Sequence, residues 1–335
     1  MPTLIKTLQK KEEIMMPSSK WICLILATFV VLSLAGPAMA ENFPTKPIKV
    51  IVGFSPGGTT DLLARAVAGV APEFLGQSLV IINKPGASGT LAAKEVADST
   101  PDGYTLMIAG GSETTSVGNF KKLPYHPIDA FAPIIRFVKA RMIICFNASA
   151  PWKTFQDFVN DAKKNPGKYK YASTGHGGIY HAALLAMCYK AGIKMKHVPY
   201  KGGAPGLAAL MGGHVDVAIG SDAEIWPMVQ GKKIRAVALT SLDRSPILKD
   251  VPTLKELGYD VYLENQKGFV APAKTPKDRI IFLHDAFKKV YDHPAFVKMA
   301  EQLKLELSYM GPEDFGKSLR DMYNQIGEVV KKMGD

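Results

Sequence analysis

Residues 48–61 read Ile48-Lys49-Val50-Ile51-Val52-Gly53-Phe54-Ser55-Pro56-Gly57-Gly58-Thr59-Thr60-Asp61. The Ile- and Val-rich start has the pattern of a buried strand. Ser55-Pro56-Gly57-Gly58 breaks that pattern. Leu62, Leu63, Ala66, Val67 and Val70 then recur at helical spacing. Strand, glycine-rich turn and helix in succession deliver backbone N–H groups at a helix start. Such a start carries about half a positive charge and several unpaired donors, the ingredients of an anion site. The glycines let a ligand approach the backbone. An ordinary strand–turn–helix connection has the same grammar, so the rest of the chain must decide between them.

Outward from this stretch the alternation continues. Strands are expected at 48–52, 79–83 and 104–109, with helices at 61–74 and 89–98. The extended apolar segments 132–138 and 142–147 look like a crossing into a second unit, where the grammar repeats. A helix at 154–164, with Thr154 as its cap, precedes a strand at 169–173. The loop Thr174-Gly175-His176-Gly177-Gly178 leads into a helix at 180–190. A strand at 196–198, a helix at 205–211 and strands at 215–219 and 234–239 follow. Residues 269–272 look like the return crossing, and helices at 277–292, 294–303 and 312–332 should pack back on the first unit. Alternation of this kind implies parallel sheets covered by helices. The fold class is therefore α/β, with two lobes joined by two crossover strands around a cleft. One lobe comprises 41–144 with 266–335, and the other 145–265. Ligands of open parallel sheets bind at the carboxyl ends of the strands. Each lobe places a glycine-rich loop there, residues 55–61 and 174–178, so the two can clamp an anion by hinge closure.

The chain start has its own logic. Lys20 is followed by an apolar run from Trp21 to Leu34 and then Gly36-Pro37-Ala38-Met39-Ala40. A basic start, a short apolar core and a small-x-small end are the signature of a signal peptide, cleaved here near Ala40. The run is shorter than the roughly 18–20 residues needed to span a bilayer. Export to the periplasm, with residues 1–40 removed, is the expectation. About 295 residues then remain, long for one core and suited to two lobes. Cys145 and Cys188 sit among apolar residues, compatible with buried thiols or with one disulfide. The whole chain of 335 residues carries a net charge of +11. Such a field favours anionic ligands or simply solubility. No run of Lys and Arg interleaves with aromatics, and export argues against a nucleic-acid partner.

Enzyme motifs were sought in turn. The chain lacks Gly-x-x-x-x-Gly-Lys-Ser/Thr and Gly-x-Ser-x-Gly. Gly175-His176-Gly177-Gly178 does not match the dinucleotide fingerprint. His126, His176, His181, His197 and His214 show no metal-ligand spacing, so neither metal nor cofactor is expected. The candidates are instead ligand-binding groups. Ser173 and Thr174 offer hydroxyls to an oxyanion, and His176 can donate from its loop. Ser112, after Gly110-Gly111, stands at another strand end. Asp61 braces the loop, since two negative charges repel at short range. Lys201, Ser221 and Asp222 are weaker candidates.

Ordered pieces of the chain resemble a known family. They include Phe54-Ser55-Pro56-Gly57-Gly58-Thr59-Thr60-Asp61, Asn83-Lys84-Pro85-Gly86-Ala87-Ser88-Gly89, Pro101-Asp102-Gly103-Tyr104-Thr105-Leu106 and Leu123-Pro124-Tyr125. Ser173-Thr174-Gly175-His176-Gly177, His197-Val198-Pro199-Tyr200-Lys201-Gly202, Gly212-Gly213-His214-Val215-Asp216 and Asp250-Val251-Pro252-Thr253 continue the series. Together they make residues 43–330 similar to the solute-binding proteins of tripartite tricarboxylate transporters, the Bug or TctC type. The resemblance implies a type II periplasmic-binding-protein fold and a receptor for a small organic carboxylate, without catalysis. It implies large and small integral membrane permease subunits as partners, and a monomer is expected. Carried over residue by residue, the ligand groups are Gly57, Gly58, Thr59 and Asp61 on one lobe and Thr174, Gly175, His176 and Gly177 on the other. A secreted enzyme for a small anion, or a ligand sensor, would use the same cleft. Three departures from the family pattern stand out: Val117-Gly118-Asn119-Phe120, Gln266-Lys267 and Gly220-Ser221. They fall where selectivity for the distal part of the ligand is expected.

Overall fold

The computed structural model describes residues 43–333, so the expected export signal lies outside the described residues. In chain order the strands are β1 (Ile48–Val52), β2 (Leu79–Asn83), β3 (Thr105–Ala109), β4 (Phe131–Ala140), β5 (Ile143–Asn147) and β6 (Lys170–Ser173). Then follow β7 (Lys196–Pro199), β8 (Val217–Gly220), β9 (Ile234–Leu239), β10 (Asn265–Pro272) and β11 (Glu306–Met310). The helices are α1 (Thr59–Ala68), α2 (Pro72–Leu75), α3 (Thr90–Ala97), α4 (Phe155–Lys164) and α5 (Ile179–Ala191). They continue with α6 (Gly203–Met211), α7 (Asp222–Gln230), α8 (Lys277–Asp292), α9 (Pro294–Gln302) and α10 (Pro312–Met333). None is long and apolar enough to cross a membrane among the described residues.

Two sheets result, in the orders β11-β4-β10-β3-β1-β2 and β7-β6-β8-β5-β9. Both are mixed, which corrects the expectation of parallel sheets. β1 lies parallel to β2 and β3, but β10 inserts between β3 and β4 and is antiparallel to both. In the second sheet β6 is parallel to β7 and β8, while β5 is antiparallel to β8 and β9. The physical reason is the crossing itself. The strands on which the chain enters each sheet from the other, β5 and β10, run against the βαβ strands they join.

The expected helix 61–74 is two helices. Pro72 has no N–H to continue the ladder and instead opens α2, whose end is closed by Gly76 at φ +68°. Thr154 caps α4 in a reciprocal box with Asp157. Helix α7 and strand β11 have no counterpart in the sequence reading. α7 carries the same capping box, Ser221 with Glu224, but Pro227 interrupts its helical pattern.

The first sheet packs Phe137 and Phe269 against Phe287 of α8 and Phe296 of α9. On its other face Ile51, Met107 and Val270 meet α3 and α10. Helix α10 does not stay with that sheet. Phe315 and Leu319 belong to the first core, whereas Ile326 and Val330 enter the core of the second. Cys145 and Cys188 are free, buried thiols. Burial pushes Cys188 up to about 12 and Cys145 higher still, so neither is a thiolate at neutral pH. Removing the cap by Thr154→Ala should cost about 1 kcal/mol in urea-unfolding free energy. An unchanged midpoint would show that α4 is held by packing alone.

Candidate functional site

The two glycine-rich loops meet. A cavity of about 20 Å³ is lined by Gly58, Thr59 and Thr60 at the start of α1 and by Thr174, Ile179 and Tyr180 around the start of α5. Two helix N-termini, one from each sheet, thus face one small space, in which donors and dipoles both favour negative charge. An adjoining cavity of about 230 Å³ shares Phe54 and Thr174 as a wall and is lined further by Ser88, Gly175, His176 and Lys201. Larger hollows, of about 330 Å³ beside Tyr189 and about 560 Å³ beside Arg136, lie away from both loops.

Glycine is required where the loops approach. Gly175 sits at φ +116°, and a Cβ there would collide with the Ser88 hydroxyl. A Cβ on Gly178 would lie 3.0 Å from Thr174 Oγ1 and 3.1 Å from Ser112 Oγ, so its absence lets those hydroxyls converge. Hydrogen bonds then fasten the sides together. Thr59 Oγ1 and Ser221 Oγ are 2.6 Å apart, and Ser55 N–H donates to Lys201 O at 3.0 Å. Ser88 Oγ donates to His176 O at 3.0 Å and Ser116 Oγ to Gly177 O at 2.6 Å. This is a closed arrangement, with room in the inner cavity for about one water.

The expected site residues divide by position. Gly58, Thr59, Ser112 and Thr174 line the inner cavity; Gly175 and His176 line the adjoining one. Thr174 Oγ1 is buried without a hydrogen-bond partner. Ser112 Oγ also accepts the Ile179 N–H at 3.0 Å, capping α5. Gly57, Asp61, Ser173 and Gly177 line neither space. Asp61 accepts from Gly57 N–H, Arg65 and Asn83, bracing the loop from behind. Burial opposes its charge, but the Arg65 hydrogen bond, the Gly57 and Asn83 donors and the Arg65 charge outweigh it, holding the carboxyl below its usual range. Ser173 Oγ bonds within its own loop and to His197 Nε2 at 2.7 Å. Gly177 spends its N–H on His181 Nδ1 at 3.1 Å.

Charged groups in the cavity wall were missed by the sequence reading. Lys267 is 3 % exposed and lines the inner cavity with Asn265 and Glu224. Along β10, residues 265 and 267 share a face. Gln266 points the other way, to Arg136 and Ser318. Glu113 follows Ser112 in a buried π-helical turn, a form that recurs at functional sites. Burial pushes the Glu113 carboxyl up and the Lys267 ammonium down, and each charge partly offsets the shift of the other. Glu224 Oε2 accepts from the Tyr180 hydroxyl and Ser221 N–H, both at 2.9 Å. The signal available in the sequence was the departure at Gln266-Lys267, read there as falling where selectivity for the distal part of the ligand is set, without a role for Lys267 itself.

The histidines also need a correction. Scattered in sequence, His176, His181 and His197 converge, with one ring nitrogen from each lying within 4.8 Å of the others. The loop, α5 and β7 are neighbours only in the fold. Burial and the neighbouring imidazoles push His181 down to about 3, and burial with His176 pushes His197 down to about 4. A neutral His181 whose Nδ1 accepts from Gly177 carries its proton on Nε2. It therefore offers no free lone pair for a metal. Phe120 packs on His176 and His181, at centroid distances of 6.0 and 5.4 Å. The three rings pack together with Phe120 under the second loop.

Comparison with known proteins agrees with this two-lobed α/β fold. The model described as "Tripartite tricarboxylate transporter family receptor" matches residues 63–335. The "UPF0065 protein in gbd 5'region" of Cupriavidus necator is 33% identical over 298 residues, covering 89% of this chain and 90% of that protein. The periplasmic binding protein BugD is similar at 30% identity and a TM-score of 0.83, over 87% of this chain and 99% of that one. MatC from Rhodopseudomonas palustris, solved with bound malate, is similar at 27% identity and a TM-score of 0.81, over 86% of this chain and 100% of that one. Such proteins are two-lobed α/β binding proteins, a family of solute receptors and not of enzymes. With two helix starts of its own closing on a single cavity, this chain belongs to the tripartite tricarboxylate transporter receptor family.

Proposed function

We propose that this protein captures a small organic carboxylate in the periplasm and presents it to large and small integral membrane permease subunits. The observation that carries the reading is the cavity shared by the starts of α1 and α5, with the unpaired Thr174 hydroxyl between them. A carboxylate placed there would accept from the N-terminal amides of both helices and from Thr174, replacing the water it loses. Malate bound in MatC supports the same ligand class. Residues 44–144 with 266–333 would move against 145–265 about the crossings at 140–143 and 263–265. Parting of the latches Thr59–Ser221 and Ser55–Lys201 would widen the inner space and admit the ligand.

Mass spectrometry of small molecules released on denaturing the purified protein should find an organic acid in near-stoichiometric amount. Only neutral or cationic compounds, or products formed by turnover of an added acid, would contradict the reading. A second test fills the cavity. Gly58 has φ −82° and ψ 165°, which a β-branched residue adopts, and its new Cβ would lie 3.1 Å from Glu224 Oε1. Gly58→Val should weaken binding of the released acid by about a hundredfold, about 2.8 kcal/mol, with circular dichroism unchanged. Undiminished affinity by calorimetry would remove this loop from the site.

A further inference from the structure

We infer that Lys267 is a specificity-determining residue that holds a second anionic group of the ligand, so that the receptor selects acids with two negative ends. This rests on the carboxylate-receptor reading and adds to it a side-chain charge that the helix starts do not supply.

Lys267 reaches the cavity from β10, the strand that carries the chain back from the second sheet. It is almost wholly buried, yet among the described residues its ammonium makes no hydrogen bond and no close ion pair, and the Glu113 and Glu224 charges act on it only from farther off. Its Nζ lies over the Phe54 ring, 5.6 Å from the centroid. A buried ammonium without a partner is costly, and the cost falls when a ligand supplies the anion. Gly111 makes room for the ammonium itself. Gly111 has no Cβ, and one built there would collide with the ammonium and lie 3.2 Å from Asn265 Oδ1.

Other groups around Lys267 are also incomplete. Asn265 Oδ1 and Glu113 Oε2 are buried without hydrogen-bond partners. A carboxylate on Nζ would accept from the Asn265 amide after a side-chain flip. Glu224 lines the same cavity and its charge acts on the ammonium, but it makes no ion pair with Lys267, and its Oε2 accepts from Tyr180 and Ser221. The cavity thus has two poles, the amides of α1 and α5 at one and the Lys267 ammonium at the other. A monoanion satisfies only the first.

Calorimetry on the purified protein tests this with succinate, glutarate and adipate, each against its own monoamide, which keeps the size and removes one charge. For at least one pair the diacid should bind about tenfold or more tightly than the monoamide. Lys267→Met should abolish that ratio while changing monoamide affinity by less than about threefold. Should Lys267→Met fail to fold because Glu113 is left alone, the double variant Glu113→Gln/Lys267→Met removes both buried charges and should give the same loss of ratio. A wild-type protein that binds diacid and monoamide equally overturns the inference and leaves the carboxylate reading standing. A diacid preference that survives Lys267→Met or the double variant also overturns it. Binding of none of these six compounds overturns it too, and the parent reading is then decided separately by the identity of the released molecule.

Discussion

The structure depends on two helix N-termini pointing into the same small, closed space. A carboxylate leaving water must find donors that are already in place, because in a low-dielectric cavity each unpaired oxygen is costly. The starts of α1 and α5 supply such donors without titrating, so their positive character does not vary with pH. Each start is set by a strand end and a glycine-rich turn. Gly57 at φ +84° and Gly175 at φ +116° hold conformations that a side chain would strain, and Gly175 also lets Ser88 approach.

The rest of the site keeps those donors aimed. Asp61, gripped by Arg65 and Asn83, fixes the first loop, and the Ser112 hydroxyl caps α5 from across the cleft. Ala87 and Ser88 adopt left-handed conformations, an arrangement that costs about 1–2 kcal/mol per residue. In return the Ser88 hydroxyl reaches the His176 carbonyl. His181 and His197, pushed well below the usual imidazole range, stay neutral at physiological pH. Helix α10, with side chains in both cores, ties the two sheets together.

Much of this was legible in the sequence for identifiable reasons. The Ile/Val run of β1, the Ser-Pro-Gly-Gly break and the apolar spacing of α1 are local signals, and local signals survive into the fold. The loops at 55–61 and 174–178 were readable as candidate anion sites for the same reason. What was hidden is long-range. Antiparallel insertion of β10 leaves no mark in its composition, since a central strand reads as an apolar run in either direction. Pro227 masked α7 although Ser221 and Glu224 spelled its cap. The meeting of His176, His181 and His197, and the aim of Lys267 into the cavity, follow from which strands become neighbours. Only the alternation along β10 separates Lys267 from Gln266, and alternation can be applied once the strand is known.

The most direct measurement is amide NMR of the purified protein during titration with the acid released from it. The account predicts large downfield shifts, saturating together, for the backbone N–H protons of Thr59, Thr60 and Tyr180, with Gly177 moving little because its N–H is held by His181. Saturable binding that leaves the amides at the starts of α1 and α5 unmoved, while shifting signals beside Tyr189 or Arg136, would contradict it.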